Sequence, residues 1–97
     1  EVVAVDRLRD AARRSDAVVT CTTARRPVLG PDDVAPGTFV AAVGADSHGK
    51  HEIDPQLMAR ATVVVDVLAQ CARIGDLHHA LNAGALTEAD VHAAHLD

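Results

Sequence analysis

Phe39-Val40-Ala41-Ala42-Val43 is one of three short apolar runs that recur at nearly even spacing along this chain. The other two cover residues 17–21 and 62–67. None of the three alternates apolar with polar residues, which is typical of parallel strands covered on both faces of a sheet. The spacing leaves room for a short helix between successive strands, so the sequence predicts a βαβαβ arrangement of the α/β class. Residues 2–5 predict a fourth, shorter strand.

Four segments carry the signals of helix ends. Asp6 is positioned to cap a first helix whose small apolar residues face inward. Asp54-Pro55 places a capping oxygen directly before a proline, which predicts a helix from there to Arg60. Two more helices are predicted near the end of the chain, one over residues 77–83 and one from a capping box at Thr87 through His95.

Composition limits the classes of function. The chain has 97 residues, enough for a single domain, and its one aromatic residue is Phe39. Without stacking platforms, and with a net charge of −5, it is not expected to bind nucleic acid or an anionic membrane surface. No apolar run approaches the length of a bilayer-spanning helix, and the prediction is a cytoplasmic protein. Cys21 and Cys71 lack CxxC spacing and are expected to be reduced, buried thiols.

The loops that follow the strands are the candidate site, because ligands of parallel sheets bind beyond the carboxyl ends of the strands. The first loop, residues 20–27, is rich in small hydroxylated side chains. The second, Val43-Gly44-Ala45-Asp46-Ser47-His48-Gly49-Lys50, holds a carboxylate and a lysine. Asp46 is a candidate acid or base, and Lys50 either meets a phosphate or neutralises Asp46. The plainer alternative is a turn closed by the Asp46 side chain with a solvated lysine.

Several of these motifs occur together in one known family. The chain resembles the ornithine cyclodeaminase and mu-crystallin family, and the most specific part of the match is the second loop with its continuation, Gly49-Lys50-His51-Glu52-Ile53-Asp54. The other matching stretches, in order, are residues 15–23, 26–29, 36–46, 61–66 and Gly75-Asp76-Leu77. Members of this family are dimeric NAD(P)-dependent enzymes that deaminate and cyclise ornithine or lysine, reduce cyclic ketimines, or interconvert alanine and pyruvate.

The resemblance implies roles for particular residues. Asp46 is then the catalytic acid/base, which manages the proton on the amine of an amino-acid or imino-acid substrate. Lys50 lies against the cofactor, NAD or NADP. The residues that bind the nicotinamide side of the cofactor are Thr20, Thr22, Val43 and Gly44. No metal site is implied.

The resemblance also implies a fold and its boundaries. Residues 1–97 form a partial Rossmann-like, doubly wound parallel sheet of three to four strands with flanking helices. The glycine-rich GxGxxG turn that holds the pyrophosphate does not occur in the sequence. We therefore expect the later half of a dinucleotide-binding domain, with the substrate domain absent, which alone binds NAD weakly and turns nothing over. The full-length enzyme is expected to be a homodimer.

Two other functions remain open at this point. One is a non-catalytic, mu-crystallin-like binding protein, against which the presence of Asp46 and Lys50 speaks mildly. The other is an unrelated metal-binding α/β module, supported by the six histidines alone. Zinc needs three or four convergent ligands, and His92 and His95, three residues apart on a predicted helix, have no second paired motif to complete a set.

Overall fold

The computed structural model describes residues 2–93, and all strands in that range pair in parallel. Strand β1 (Ala17–Thr20) lies beside β3 (Phe39–Ala42), and strand β2 (Arg25–Leu29) lies beside β4 (His51–Ile53). The first two predicted apolar runs therefore form β1 and β3. The prediction of an α/β fold with parallel strands is confirmed, although the strands divide into two small sheets of two strands each.

The second sheet was not predicted from the sequence. Strand β2 begins with two arginines and a proline, and β4 is three residues long with a histidine and a glutamate. Backbone bonds of 2.9 Å, from His51 N to Ala24 O and from Asp54 N to Leu29 O, hold the two ends of the pair. Strands this short and polar are defined by their partner and not by an apolar pattern.

The third predicted strand is much shorter than residues 62–67. Among the described residues it amounts to one parallel bridge between Val64 and Ala93. Val65 N donates to Ala93 O at 2.9 Å, and His92 N donates to Val63 O at 2.8 Å. Val63 and Val65 are buried whereas Val64 is exposed, so the segment alternates where an unbroken buried strand was expected. Its partner is only the short extended stretch before Ala93, which limits the pairing.

The predicted strand at residues 2–5 is wrong. These residues are exposed, and nothing in the described chain pairs with them. The helix that follows, α1 (Leu8–Arg13), is confirmed, but its N-cap is Arg7 and not Asp6. Ala12 is its one buried residue and packs with Leu29 and Ile53.

The other helices follow the predictions more closely. Helix α2 (Pro55–Arg60) begins as predicted, with the Asp54 carboxylate accepting from Gln56 N at 2.8 Å. Helix α3 (Leu68–Cys71) is a single unpredicted turn, and α4 (Asp76–Asn82) matches the predicted segment. The Thr87 capping box forms, but it starts a 3₁₀ turn, Glu88–Asp90, after which the chain is extended. The predicted end of that helix at His95 lies outside the described residues.

The core of the described residues consists of two small clusters of buried side chains, and Met58 packs against both. One contains Ala12, Leu29 and Ile53. The other contains Val63, Val65, Leu77, Ala80 and Leu86. The opposite face of the first sheet is not covered, since Val19 and Phe39 are both about two-thirds exposed.

Helix α4 is attached to β4 by a buried carboxylate. Asp76 Oδ1, in the first turn of the helix, accepts from Glu52 N at 2.8 Å and from Ile53 N at 2.9 Å. Gly75 lets the helix start close to the second loop, because it has φ +97° and a Cβ there would lie 2.7 Å from Ala45 O. The position of Glu52 is therefore set by the helix as well as by the strand.

We expect Asp76→Ala to lower the free energy of unfolding by about 2 kcal/mol, because it leaves two buried amide donors without an acceptor. Asp76→Asn keeps an oxygen at the same position and should lose less stability. Urea denaturation followed by circular dichroism measures both variants. Equal losses would show that the acceptor itself contributes little.

Candidate functional site

The two candidate loops meet at the carboxyl edge of the first sheet. Strands β1 and β3 are neighbours and run in the same direction, so the residues after Thr20 and after Ala42 leave the sheet side by side. Backbone bonds from Val43 N and Gly44 N to Thr20 O, at 2.9 and 3.1 Å, join the second loop to the end of β1. This is the arrangement that the predicted site required.

A buried carboxylate lies under both loops. Glu52, on β4, is 0% exposed. Its Oε1 accepts from the Thr20 hydroxyl and from Gly44 N, both at 2.8 Å, and its Oε2 accepts from Thr22 N at 2.7 Å. Burial raises the pKa of this carboxyl, but the hydrogen bonds from Thr22, Thr20 and Gly44 outweigh burial and hold the pKa below its usual value. Glu52 is thus an anion that fixes both loops.

Glycine is the only residue type that fits at position 44, between the Glu52 carboxylate and Thr22 N. A Cβ at this position would collide with the Glu52 carboxylate and would lie 2.5 Å from Thr22 N. Contacts that close are incompatible with any side chain unless the backbone or the buried carboxylate moves. The glycine therefore serves the packing of the two loops on Glu52.

Asp46 and Lys50 form an ion pair on the outer side of the second loop. Lys50 Nζ donates to Asp46 Oδ1 at 2.9 Å. The Asp46 side chain is 70% exposed and the Lys50 side chain 24%. The Lys50 ammonium, through its hydrogen bond and its charge, holds the pKa of Asp46 below its ordinary value. Asp46 is consequently ionised at neutral pH and accessible to a small molecule.

The predicted site residues take different positions. Thr20 is buried, and its hydroxyl is already used by Glu52. Thr22 and Val43 are exposed, and the Thr22 hydroxyl oxygen accepts a hydrogen bond from Ala24 N at 3.1 Å. Lys50 neutralises Asp46, which is one of the two roles that the sequence left open.

Glu52 is the functional residue that sequence reasoning missed. It lies in the motif Gly49-Lys50-His51-Glu52-Ile53-Asp54, from which no role for this residue was predicted. Its partners come from two distant loops, and no local pattern in the sequence reveals such contacts.

The histidines and cysteines form no metal site within the described residues, and one cysteine differs from expectation. The rings of His51 and His79 stack with centroids 4.0 Å apart, and each ring bonds a backbone carbonyl, of Ile53 and Lys50 respectively. Residues 2–93 contain no group of three or more histidine, cysteine, aspartate or glutamate side chains placed to hold a metal ion. Cys21 was expected to be buried and is exposed, because the chain leaves the sheet at Thr20. Cys71 is partly buried.

No helix within residues 2–93 is both long enough and apolar enough to cross a membrane.

Comparison with solved structures supports the fold. The structure of iminosuccinate reductase from Paracoccus denitrificans in complex with NAD+ matches with a TM-score of 0.85 and 38% identity, over 92% of this chain and 27% of that one. The Δ1-pyrroline-2-carboxylate reductase of Thermococcus litoralis, in complex with NADH and L-proline, matches with a TM-score of 0.86 and 27% identity, over 93% of this chain and 28% of that one. The partial Rossmann-like α/β fold is thereby confirmed.

Comparison of sequences points to the same group of enzymes as the comparison of structures. Alanine dehydrogenase from Archaeoglobus fulgidus is 40% identical over 82 residues, which are 84% of this chain and 26% of the enzyme. The chain spans about a quarter of the length of these relatives. The sequence profile described as the ornithine cyclodeaminase/mu-crystallin family matches residues 1–95. The match extends over nearly the whole sequence, in agreement with the motifs around Asp46, and the chain belongs to the ornithine cyclodeaminase/mu-crystallin family.

Proposed function

We propose that this chain is the part of a dinucleotide-binding domain that lies against the nicotinamide ring of NAD or NADP, in an enzyme that acts on amino acids or cyclic imino acids. The observation that carries the proposal is the meeting of two loops at the carboxyl edge of β1 and β3, with the Asp46 carboxylate exposed above them. The relatives solved with NAD+ or NADH, and with L-proline in one case, support this assignment.

The residues at this edge fit a flat ring better than a phosphate. Thr22 and Val43 are exposed and short, and Gly44 adds no side chain between them. The amide donors of Thr22 and Gly44, which would otherwise suit an anion, are both taken by Glu52. The pyrophosphate is therefore held elsewhere in the full-length protein, consistent with a sequence that has no GxGxxG turn.

Asp46 is the proposed acid/base. The nucleotide, when bound, gives a hydride to or takes one from the carbon next to the substrate nitrogen. Asp46 is ionised beside Lys50, so it accepts a proton from the substrate amine or stabilises an iminium cation. Imine reduction, amino-acid oxidation and deamination all need this one group near the nitrogen.

The uncovered face of the first sheet supports a further part of the proposal. Val19 and Phe39 are exposed on a parallel sheet, a type of sheet that proteins cover on both faces. We propose that the full-length protein covers this face with the other half of a dinucleotide-binding domain and carries a separate substrate domain. A homodimer is also proposed, since an archaeal alanine dehydrogenase of similar fold is a dimer with bound NAD. Its proposed location is the cytoplasm, where these nucleotides are held.

Asp46→Asn in the full-length protein should lower kcat by about a hundredfold or more, because it removes the group that handles the proton. The dissociation constant of NADH should stay within a few-fold, as the ring is held by the loops. Steady-state kinetics and fluorescence titration measure the two effects. Asp10→Asn, an exposed carboxylate on α1, is the matched control and should change neither.

The same titrations test the function itself. Binding of NAD(H) to the wild-type protein without turnover of amino or imino acids would favour the mu-crystallin-like binding protein. Zinc binding without dinucleotide binding would refute the proposal. Wild-type turnover in Asp46→Asn would remove Asp46 from the chemistry.

Lys50→Met should move the acidic limb of the pH profile of kcat/KM to higher pH. The Lys50 ammonium lowers the pKa of Asp46, so its removal lets that pKa rise, and protonation then inactivates the enzyme at a higher pH. Lys50→Arg keeps the positive charge and should leave the limb near its wild-type position. An unshifted limb in Lys50→Met would show that Asp46 does not set it.

A further inference from the structure

We propose that Glu52 is a positioning residue and that its buried negative charge raises the affinity of the site for the oxidised nucleotide relative to its affinity for the reduced one. The inference rests on the proposed function, because it needs the nicotinamide ring to lie on the two loops that Glu52 holds. It assigns to Glu52 an electrostatic effect on the ring in addition to its structural role.

The contacts place this charge directly under the proposed ring site. Each of the three groups bound to Glu52 belongs to the end of β1 or to one of the two loops. Two of them, Thr22 N and Gly44 N, are in the segments that line the proposed ring surface. No other charged side chain of the described chain donates to Glu52 or pairs with it.

The geometry also favours the ionised form of Glu52. Backbone amides can only donate, so both carboxylate oxygens must act as acceptors, and the Thr20 hydroxyl adds a third donor. The nearest ammonium, that of Lys50, is already paired with Asp46. Hydrogen bonds disperse the charge of Glu52 but do not cancel it, so its field extends to the surface of the loops.

The two forms of the nucleotide respond differently to such a field. The oxidised nicotinamide ring carries a positive charge and the reduced ring carries none. A fixed anion close to the ring therefore favours the oxidised form, whereas packing and hydrogen bonds to the carboxamide act on both forms. At an effective dielectric constant of about 20, one unit charge at a distance of roughly 10 Å changes the ratio of the two affinities by about tenfold.

Glu52→Gln in the full-length protein tests the inference, since it removes the charge and keeps the shape. We measure the dissociation constant of NAD+ by calorimetry and that of NADH by fluorescence titration. The expected result is a loss of affinity for NAD+ about tenfold greater than the loss for NADH. A purely structural role would weaken both forms alike, and that result would overturn the inference.

Two further variants keep the test decisive. Glu52→Asp retains the charge on a shorter side chain, so it should bind both forms more weakly with a nearly wild-type ratio. If Glu52→Gln fails to fold, this variant decides, because a folded Glu52→Asp protein with a lost preference for NAD+ would contradict the inference. Asp10→Asn is the matched control: it neutralises an exposed carboxylate on α1 that takes no part in holding the loops, and it should leave the ratio nearly unchanged.

The test separates this inference from the proposed function. Wild-type protein that binds neither NAD+ nor NADH would refute both. Wild-type protein that binds both nucleotides, with a ratio unaffected by Glu52→Gln, would refute the inference alone. The ratio is a binding measurement and does not depend on turnover.

Discussion

The hydrogen bonds to the Glu52 carboxylate are the constraint on which the site depends. A carboxylate without access to water is tolerated only where donors replace its hydration, and here three donors converge on it from two separate segments. Each donor is fixed by the carboxylate in return. The ends of β1 and β3 therefore have one arrangement, and Gly44 follows from it because no side chain fits beside Glu52.

The same constraint connects the site to the core. Asp76 accepts the backbone amides of Glu52 and Ile53, and the next residue of α4, Leu77, is buried in the larger apolar cluster. A chain of contacts therefore runs from that cluster through a helix start to β4 and on to the loops. The Asp76 carboxylate positions strand β4, and the Glu52 carboxylate on that strand positions the loops.

Much of the fold could be predicted from the sequence, and the exceptions have a common physical cause. Strands β1 and β3 were predictable because each is apolar along its length, and α2 because Asp54-Pro55 is a local signal. Strands β2 and β4 were not, because contacts between distant segments define them. The candidate site divides in the same way. The contact between Asp46 and Lys50, which are four residues apart, was among the predicted alternatives, whereas Glu52 bonds to Thr20 and Thr22, which are 30 or more positions away.

The contrast between Asp46 and Glu52 shows how one short segment provides two kinds of negative charge. Both carboxyls have lowered pKa values, but for different reasons: a neighbouring ammonium in Asp46, and hydrogen bonds that outweigh burial in Glu52. The Asp46 charge is balanced by Lys50 and exposed to solvent, so it can meet a substrate and exchange a proton. The Glu52 charge has no counterion in the described chain and no access to water, so the carboxylate is fixed in place and does not readily exchange a proton.

A group that transfers protons needs the exposed environment of Asp46, and a group that provides a fixed electric field needs the buried environment of Glu52. The turn at Gly49, with φ +81°, brings the chain back from one to the other within six residues.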